Sequence, residues 1–402
     1  MRQEERTDFR RIVRIPAPLI VERCRRAPEV GPRILFFSGG TALRGLSRKL
    51  KTLTHNSTHL MTPFDSGGRS ARLRDSFRMP AVGDIRNRLI ALADDTVLGN
   101  HELYRLFAFR LPTEGEPDTA LPQLERMVEG TDPLVDEVPN PLRRIVQTHL
   151  RSFLDQMPAD FDLRGASIGN LMLAGGYLHH DRYLDSVVLL FSRLVVVRGV
   201  VSSIIDADLE LCATLSDGRK IVGQHLLTGK EAPPLDTAIE DLCLVHPTKT
   251  DEVATPEIAR KTARAIRKAD LICFPMGSFW SSLIANLLPV GVGRAIASSI
   301  APKVYVPSTG HDPELVGVPP ERCVQDLLRY LRRDLGPDDQ TPVEHLLDAV
   351  LLHTDHSVYA LPPDVEKIRA LGVRVIETDL VTDESTPRID SERLANVLVS
   401  LA

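Results

Sequence analysis

A short apolar run that ends in two glycines and passes straight into helical spacing constrains this chain more than any other feature. Arg33 to Phe37 is followed by Ser38-Gly39-Gly40-Thr41, after which Leu43, Leu46, Leu50 and Leu53 share one side of a helix expected over 41–53. A second strand over 58–64 delivers Asp65 at its carboxyl end. The pattern returns late in the chain, with a helix over 255–268, a strand at 271–274, a helix from 279 to 288 and a buried strand at 303–306. Strands alternating with helices imply an α/β fold with a doubly wound, mostly parallel Rossmann-like sheet. Its ligand crevice belongs outside the carboxyl ends of the strands.

The 402 residues carry a formal charge of -5, which gives no whole-molecule attraction to nucleic acid and favours small molecules or proteins as partners. Apolar stretches are interrupted by charge, as at Arg193, Arg198 and Arg294, so none reads as a membrane span. The start has no apolar signal core. Cys24, Cys212, Cys243, Cys273 and Cys323 are scattered without a metal-ligand spacing, a usage that fits a reducing cytoplasm. Cys212, Cys243 and Cys273 lie in apolar runs and read as core.

Three parts follow from the composition. Residues 1–32 form an Arg-rich arm, either docked on the body or a second subunit or left as a solvated tail. Residues 33–318 form the α/β domain, and 319–402 a carboxyl-terminal α/β extension packed on it. Within the domain, about 111–160 is an insertion whose first part, 111–140, is acidic and proline-rich, the composition of a lid rather than of core. Helices are expected at 141–156, 168–179 and 181–196. A β-hairpin excursion occupies 200–228, turning at Ser216-Asp217-Gly218-Arg219. The extension is read as helices at 320–335 and 342–353, then helix, strand and helix at 364–371, 373–378 and 391–401.

Several segments carry the chemistry of a phosphate site. Ser38-Gly39-Gly40-Thr41 lets main-chain amides approach an anion at a helix start, although a purely structural turn would use the same glycines. Asp65-Ser66-Gly67-Gly68-Arg69-Ser70-Ala71-Arg72-Leu73-Arg74 adds a carboxylate, two glycines and guanidinium groups able to grip phosphate oxygens in pairs. Gly83-Asp84-Ile85-Arg86-Asn87-Arg88 opens a helix at which Asp84 is an N-cap or a crevice carboxylate, with Arg86 and Asn87 close behind. Gly169-Asn170 opens another helix, and Pro275-Met276-Gly277-Ser278 repeats a small turn after an interior strand. Trp280 either stacks on a ligand or packs. Asp206 and Asp208 read as solvent-facing, and the histidines show no metal-binding pattern.

Taken in order, these motifs resemble the CofD-like superfamily, which includes 2-phospho-L-lactate transferases and the gluconeogenesis-factor branch typified by YvcK. Family members show Gly-Gly-Thr-Gly-Leu, Asp-Asp-Gly-Gly-Ser-Ser-Gly-Arg-Leu-Arg, Pro-Gly-Asp-Ile-Arg-Asn, a central Gly-Asn, and Pro-Gly-Ser ahead of Asn-Leu-Leu. The counterparts here are Gly39 to Leu43, Asp65 to Arg74, Val82 to Asn87, Gly169-Asn170, and Pro275 to Ser278 ahead of Asn286-Leu287-Leu288. Ser66 stands where the family usually carries its second acid. The nearest look-alike is the CofD-related branch of the so-called GAK system.

The resemblance implies a transferase that moves a phospholactyl-type group from a nucleoside-diphosphate-linked donor to an alcohol and releases nucleoside monophosphate. Asp65, Asp84 and Arg86 would act in catalysis. Gly39, Gly40, Thr41, Gly67, Gly68, Arg69, Arg72, Asn87, Asn170, Gly277 and Ser278 would hold the ligand. Magnesium would be bound by Asp65 and Asp270, and the protein would be a homodimer. The alternative implied by the YvcK-like branch is a non-catalytic sensor of a nucleotide or nucleotide-sugar, acting on a partner protein.

Overall fold

The computed structural model describes residues 15–97, 99–113, 120–229 and 231–402. Among them the chain forms β1 (Ile34–Ser38), β2 (Thr58–Met61), β3 (Val200–Ser203), β4 (Glu210–Leu215), β5 (Lys220–Val222), β6 (Ile239–His246), β7 (Lys249–Ala254), β8 (Leu271–Phe274), β9 (Lys303–Tyr305), β10 (Ala349–His353) and β11 (Arg374–Thr378). Seven of these make one sheet in the order β11-β10-β9-β8-β1-β2-β3, with every neighbouring pair parallel. The chain runs outward from β1 through β2 to β3, then re-enters on the other side of β1 as β8 and runs outward again to β11. The winding direction therefore reverses between β1 and β8. A crevice at that switch point is what a doubly wound sheet provides.

Burial on both faces explains the unbroken apolar strands. Ile34 and Phe36 face a layer built by the helices Pro18–Arg26, Arg44–Leu50 and Ser391–Leu401, while Leu35 and Phe37 face the opposite core. That core also receives the four-stranded antiparallel sheet β5-β4-β6-β7 through Leu211, Ala213, Leu215, Leu242 and Leu244. Gly218, at φ +87, completes the β4–β5 turn, where the Leu215 amide donates to the Arg219 carbonyl at 2.8 Å.

Some elements differ from the sequence expectation. Val200–Ser203 joins the parallel sheet beside β2 and is not part of the hairpin excursion. Residues 349–353 form strand β10, not the end of a helix; all five are buried, and a run that is apolar on every side carries no helical or strand period to read. The stretch 279–287 is a wide turn, Phe279–Leu283, followed by a tight one, Ile284–Leu287, in place of a regular helix. Its Trp280 is buried edge-on against Tyr330 at 5.9 Å and packs.

The described residues of the acidic insertion do not line the crevice. The insertion's helices Ala120–Glu129 and Pro133–Asp136 bury Leu124, Met127, Val128 and Val135 in a separate helical core with the helices Leu142–Gln156, Ile168–His179 and Leu184–Leu194. Nor are Asp206 and Asp208 simply solvent-facing. Asp206 accepts from the Leu184 amide at 2.9 Å, and Asp208 from the Arg74 guanidinium at 2.8 Å. Cys243 is only partly buried, whereas Cys212 and Cys273 are core as expected. Of the arm, the helix Pro18–Arg26 packs on Ser391–Leu401, and the Ala17 amide donates to the Ser400 hydroxyl at 2.9 Å; residues 1–14 lie outside the described part.

Candidate functional site

A crevice of about 740 Å³ opens at the switch point. Its wall is assembled from the residues that follow β1, β2, β8 and β9, together with a segment just before the last helix. Gly39, Gly40, Thr41, Asp65, Asp84, Gly277 and Ser278, all expected from the sequence, line it.

The first turn is shaped by what lies behind it. A side chain on Gly39 would collide with Ser282, so the backbone can pass only as glycine. The Gly40 amide donates to the Asp84 carboxylate at 2.7 Å. Arg88, 1% exposed, reaches up from the helix Gly83–Leu92 to donate to the Gly39 and Gly40 carbonyls at 3.3 and 3.4 Å and to the Ser47 hydroxyl. Burial pushes its guanidinium down to about 10, against the opposing pull of Asp84, so at neutral pH a buried cation underlies the glycine turn. The amides of Thr41 and Ala42 have no acceptor among the described residues. Free amides over a buried positive charge favour an anion.

At the end of β2, Asp65 accepts from the Gly67 amide at 3.1 Å and from the Ser70 hydroxyl at 2.7 Å. The Gly68 amide donates to Glu231 at 2.9 Å. Ser66 turns away to His225, which comes from the β5–β6 connection; its hydroxyl lies 2.9 Å from Nδ1. Arg86 is 5% exposed, its guanidinium held down to about 10 chiefly by burial, and it donates to the Asn87 side-chain Oδ1 at 2.7 Å. Arg86 Nε and Asn170 Oδ1 are buried without hydrogen-bond partners among the described residues. Gly67, Gly68, Arg86, Asn87 and Asn170 thus stand beside or behind the crevice and do not line it.

Other expected residues go elsewhere. Arg72 is half-exposed and pairs with Asp162 at 2.8 Å, away from the crevice lining. Arg74, 3% exposed, is fixed by Asp208 and Glu210, both at 2.8 Å. The Arg69 side chain lies outside the described part. Asp270 precedes β8 and pairs with Arg33, which precedes β1, at 2.5 Å. Both lie at the amino ends of parallel strands, and the crevice is at the carboxyl ends. Asp65 and Asp270 therefore do not form a metal pair, and among the described residues no group of three His, Cys, Asp or Glu is placed to hold a metal ion.

Two contributions were not read from the sequence. Arg388 lines the crevice from the segment before the last helix and is its one Lys or Arg among the described residues. Asp312 and Glu314, in the loop after β9, seize the amides of the second turn. Phe279 donates to Asp312 at 3.0 Å, and Trp280 and Ser281 donate to Glu314 at 2.9 and 2.8 Å. Glu314 is fully buried, and burial with Asp312 alongside raises its carboxyl well above the usual range.

The chain matches the family model described as 2-phospho-L-lactate transferase CofD over residues 34–381, nearly the whole of the two-sided sheet and both crevice turns. It belongs to the CofD family. Gluconeogenesis factors from Bacillus subtilis and Listeria monocytogenes are 27% and 24% identical, covering 92% and 93% of this chain and 98% and 96% of their own. A relative from Nostoc sp. is 30% identical over 92% of this chain and 68% of its own length. The crystal structure of a member of the UPF0052 family from Bacillus halodurans superposes with a TM-score of 0.66 at 24% identity, covering 91% of this chain and 99% of that one. That likeness is one of fold. The match to residue 381 takes in β10 and β11, so most of the carboxyl-terminal extension is common family structure. No helix among the described residues is long and apolar enough to cross a membrane.

Proposed function

We propose that this CofD-family protein binds a nucleotide or nucleotide-sugar and regulates a partner protein, in the manner of the YvcK-like branch. The observation that carries the reading is the composition of the crevice: free amides at Thr41 and Ala42 over the buried Arg88, with Arg388 on the wall and Ser66 tied to His225 where the family pattern has a second acid. Such a site attracts a diphosphate, and among the described residues no group of three His, Cys, Asp or Glu is placed to hold a metal ion there. The gluconeogenesis factors among the relatives support the same direction.

A second reading keeps the transferase chemistry and rests on Asp65, which lines the crevice at the end of β2. There magnesium would be held by Asp65 with phosphate oxygens of the donor, without Asp270, and the protein would align donor and acceptor rather than form a covalent intermediate. The cytoplasmic location, the homodimer and the GAK-related affiliation rest on the sequence resemblance and composition alone.

Calorimetric titration with nucleoside diphosphates and nucleotide-sugars, run beside an assay for released monophosphate with magnesium and acceptor alcohols, separates the readings. Saturable binding without release is the expected result. Release that disappears in Asp65→Ala would replace it with the transferase. Absence of binding and of thermal stabilisation by every nucleotide would overturn both.

A further inference from the structure

The last strand of the large sheet is left bare on one face. Val200 and Ser202 of β3 stand level with Thr58 and Leu60 of β2, on the face that carries Leu35 and Phe37 of β1 into the large core. At β3 that core ends, and the face opens into a groove of about 480 Å³. The helix Leu184–Leu194 forms one wall, with Leu189 and Arg193 in it, and the helix Arg260–Lys268 forms the other, with Lys261 and Ala265. Asp185 and Lys261 pair from wall to wall. Tyr183, Leu189 and Val200, three of the nine exposed large hydrophobic side chains among the described residues, gather in this one place. Exposed apolar residues scattered singly need no explanation, whereas such a gathering marks an interaction surface.

The fold and the charge around that face specify what covers it. Parallel strands of a doubly wound sheet are covered by helices on both faces, and on the reverse face Val201 has its cover in the helical core. The three other edge strands are guarded by charge, with Lys220 in β5, Lys249 and Glu252 in β7, and Arg374 and Glu377 in β11. By contrast β3 reads Val200-Val201-Ser202-Ser203 and carries no such guard. The rim of the groove has one sign. Arg260–Lys268 holds five cations and no acid, and Lys261, Arg264 and Lys268 recur at helical spacing along one side. Arg193, Arg264 and Lys268 are exposed, and their side chains have no partner among the described residues. In a chain of formal charge -5, a basic rim around an apolar floor selects a partner that is acidic and amphipathic.

We infer that this groove docks an acidic amphipathic helix of a partner protein, with the apolar side of that helix on Tyr183, Leu189 and Val200 and its carboxylates on Arg193, Arg264 and Lys268. The inference rests on the regulatory reading above and gives the regulated partner its place on the molecule. The groove shares no lining residue with the crevice. A helix laid there completes the layer over β3 as the chain's own helices complete it elsewhere, with apolar anchors along one face. A membrane surface is flat, and this floor is recessed between two helices. A single-stranded nucleic acid would find one aromatic ring, Tyr183, on which to stack its bases.

A displayed library of helical peptides, with leucines at i, i+3, i+4 and i+7 and every other position either glutamate or lysine, tests it on the full chain. Selection on wild type is expected to enrich glutamate. The enriched peptide, measured by fluorescence anisotropy, should bind Leu189→Asp and Arg264→Glu/Lys268→Glu about tenfold or more weaker than wild type, and its affinity should fall with added salt. All three positions are exposed, so the variants should keep wild-type thermal stability and nucleotide affinity. No enrichment, enrichment of lysine, or variants that bind as wild type does would overturn the inference. A wild-type dimer that Leu189→Asp dissolves in sedimentation velocity would give the groove to a second copy, and oligo(dT) bound by wild type but not by Arg264→Glu/Lys268→Glu would give it to nucleic acid; either result overturns the partner helix. Loss of the peptide result with nucleotide binding intact removes this inference alone, and peptide binding without any nucleotide binding removes only the nucleotide reading.

Discussion

Two turns built by the same topology end up chemically opposite. After β1, the strand–turn–helix passage leaves the Thr41 and Ala42 amides open over the buried Arg88. After β8, the matching passage has its amides at Phe279, Trp280 and Ser281 occupied by Asp312 and Glu314 from a loop some thirty residues downstream. A strand end at the switch point is thus a place where an anion can sit, and the protein itself fills one of the two. The filled turn is a rigid wall, and the open one is the seat.

Breaking the filled turn should cost the most stability. Glu314→Leu strands two amides and the Ser281 hydroxyl, a loss of about 3 to 9 kcal/mol at about 1–3 kcal/mol for each unsatisfied buried group, read by chemical denaturation. Its pH dependence has a definite sign. Because burial raises the Glu314 carboxyl above its unfolded value, its protonated form is favoured in the folded state. That contribution is whole below the unfolded value and is lost as pH rises through the folded one. Wild type should therefore lose stability relative to Glu314→Gln as pH rises from about 4.5 toward neutrality, and parallel curves for the two proteins would refute the assignment.

Removing the cation beneath the open turn comes next. Arg88→Met should destabilise by about 2 to 3 kcal/mol, since the Gly39 and Gly40 carbonyls and the Ser47 hydroxyl lose their shared donor. More tellingly, it should abolish stabilisation by nucleotide, which Glu314→Gln should retain. Equal loss of ligand response in both variants would mean that the two turns are not distinct in role.

Arg388→Ala sharpens the contrast from the solvent side. An exposed guanidinium whose side chain has no partner among the described residues holds little of the fold together, so stability should move by less than about 0.5 kcal/mol. Diphosphate affinity should fall by about 10- to 100-fold, the worth of one charge-assisted hydrogen bond, measured by calorimetry. Unchanged affinity would leave the crevice without a cationic contact.

What could be read from the sequence followed from how local its cause was. The β1 turn, Asp65 at the end of β2 and the helix opening at Gly83 are each fixed by residues within a few positions, so apolar runs and glycines announce them. Arg388 and Glu314 act on backbone far from them in sequence, and no spacing rule connects such residues before the sheet order is known. Ser66 was legible as a substitution, while its bond to His225 required the β5–β6 connection to fold back over it. The arginines Arg72 and Arg74 looked like phosphate ligands because composition shows a charge and not its counter-charge. Asp162, Asp208 and Glu210 had already taken them.

The smallest expected effect tests which end of the sheet matters. Asp270 and Arg33 precede β8 and β1, the same two strands whose far ends make the two turns. Their pair is bidentate and also receives the Arg33 amide at 2.9 Å, but Arg33 is 55% exposed, and solvent screens most of the attraction. Asp270→Asn should therefore cost no more than about 1 kcal/mol and leave nucleotide affinity and any magnesium dependence unchanged. A loss of ligand binding there would require Asp270 to reach across the length of the strands it precedes. Because the strands are parallel and the crevice gathers only their carboxyl ends, the fold assigns to this carboxylate the task of pinning β1 to β8, and the open turn beyond Gly40 is held at the other end of that pairing.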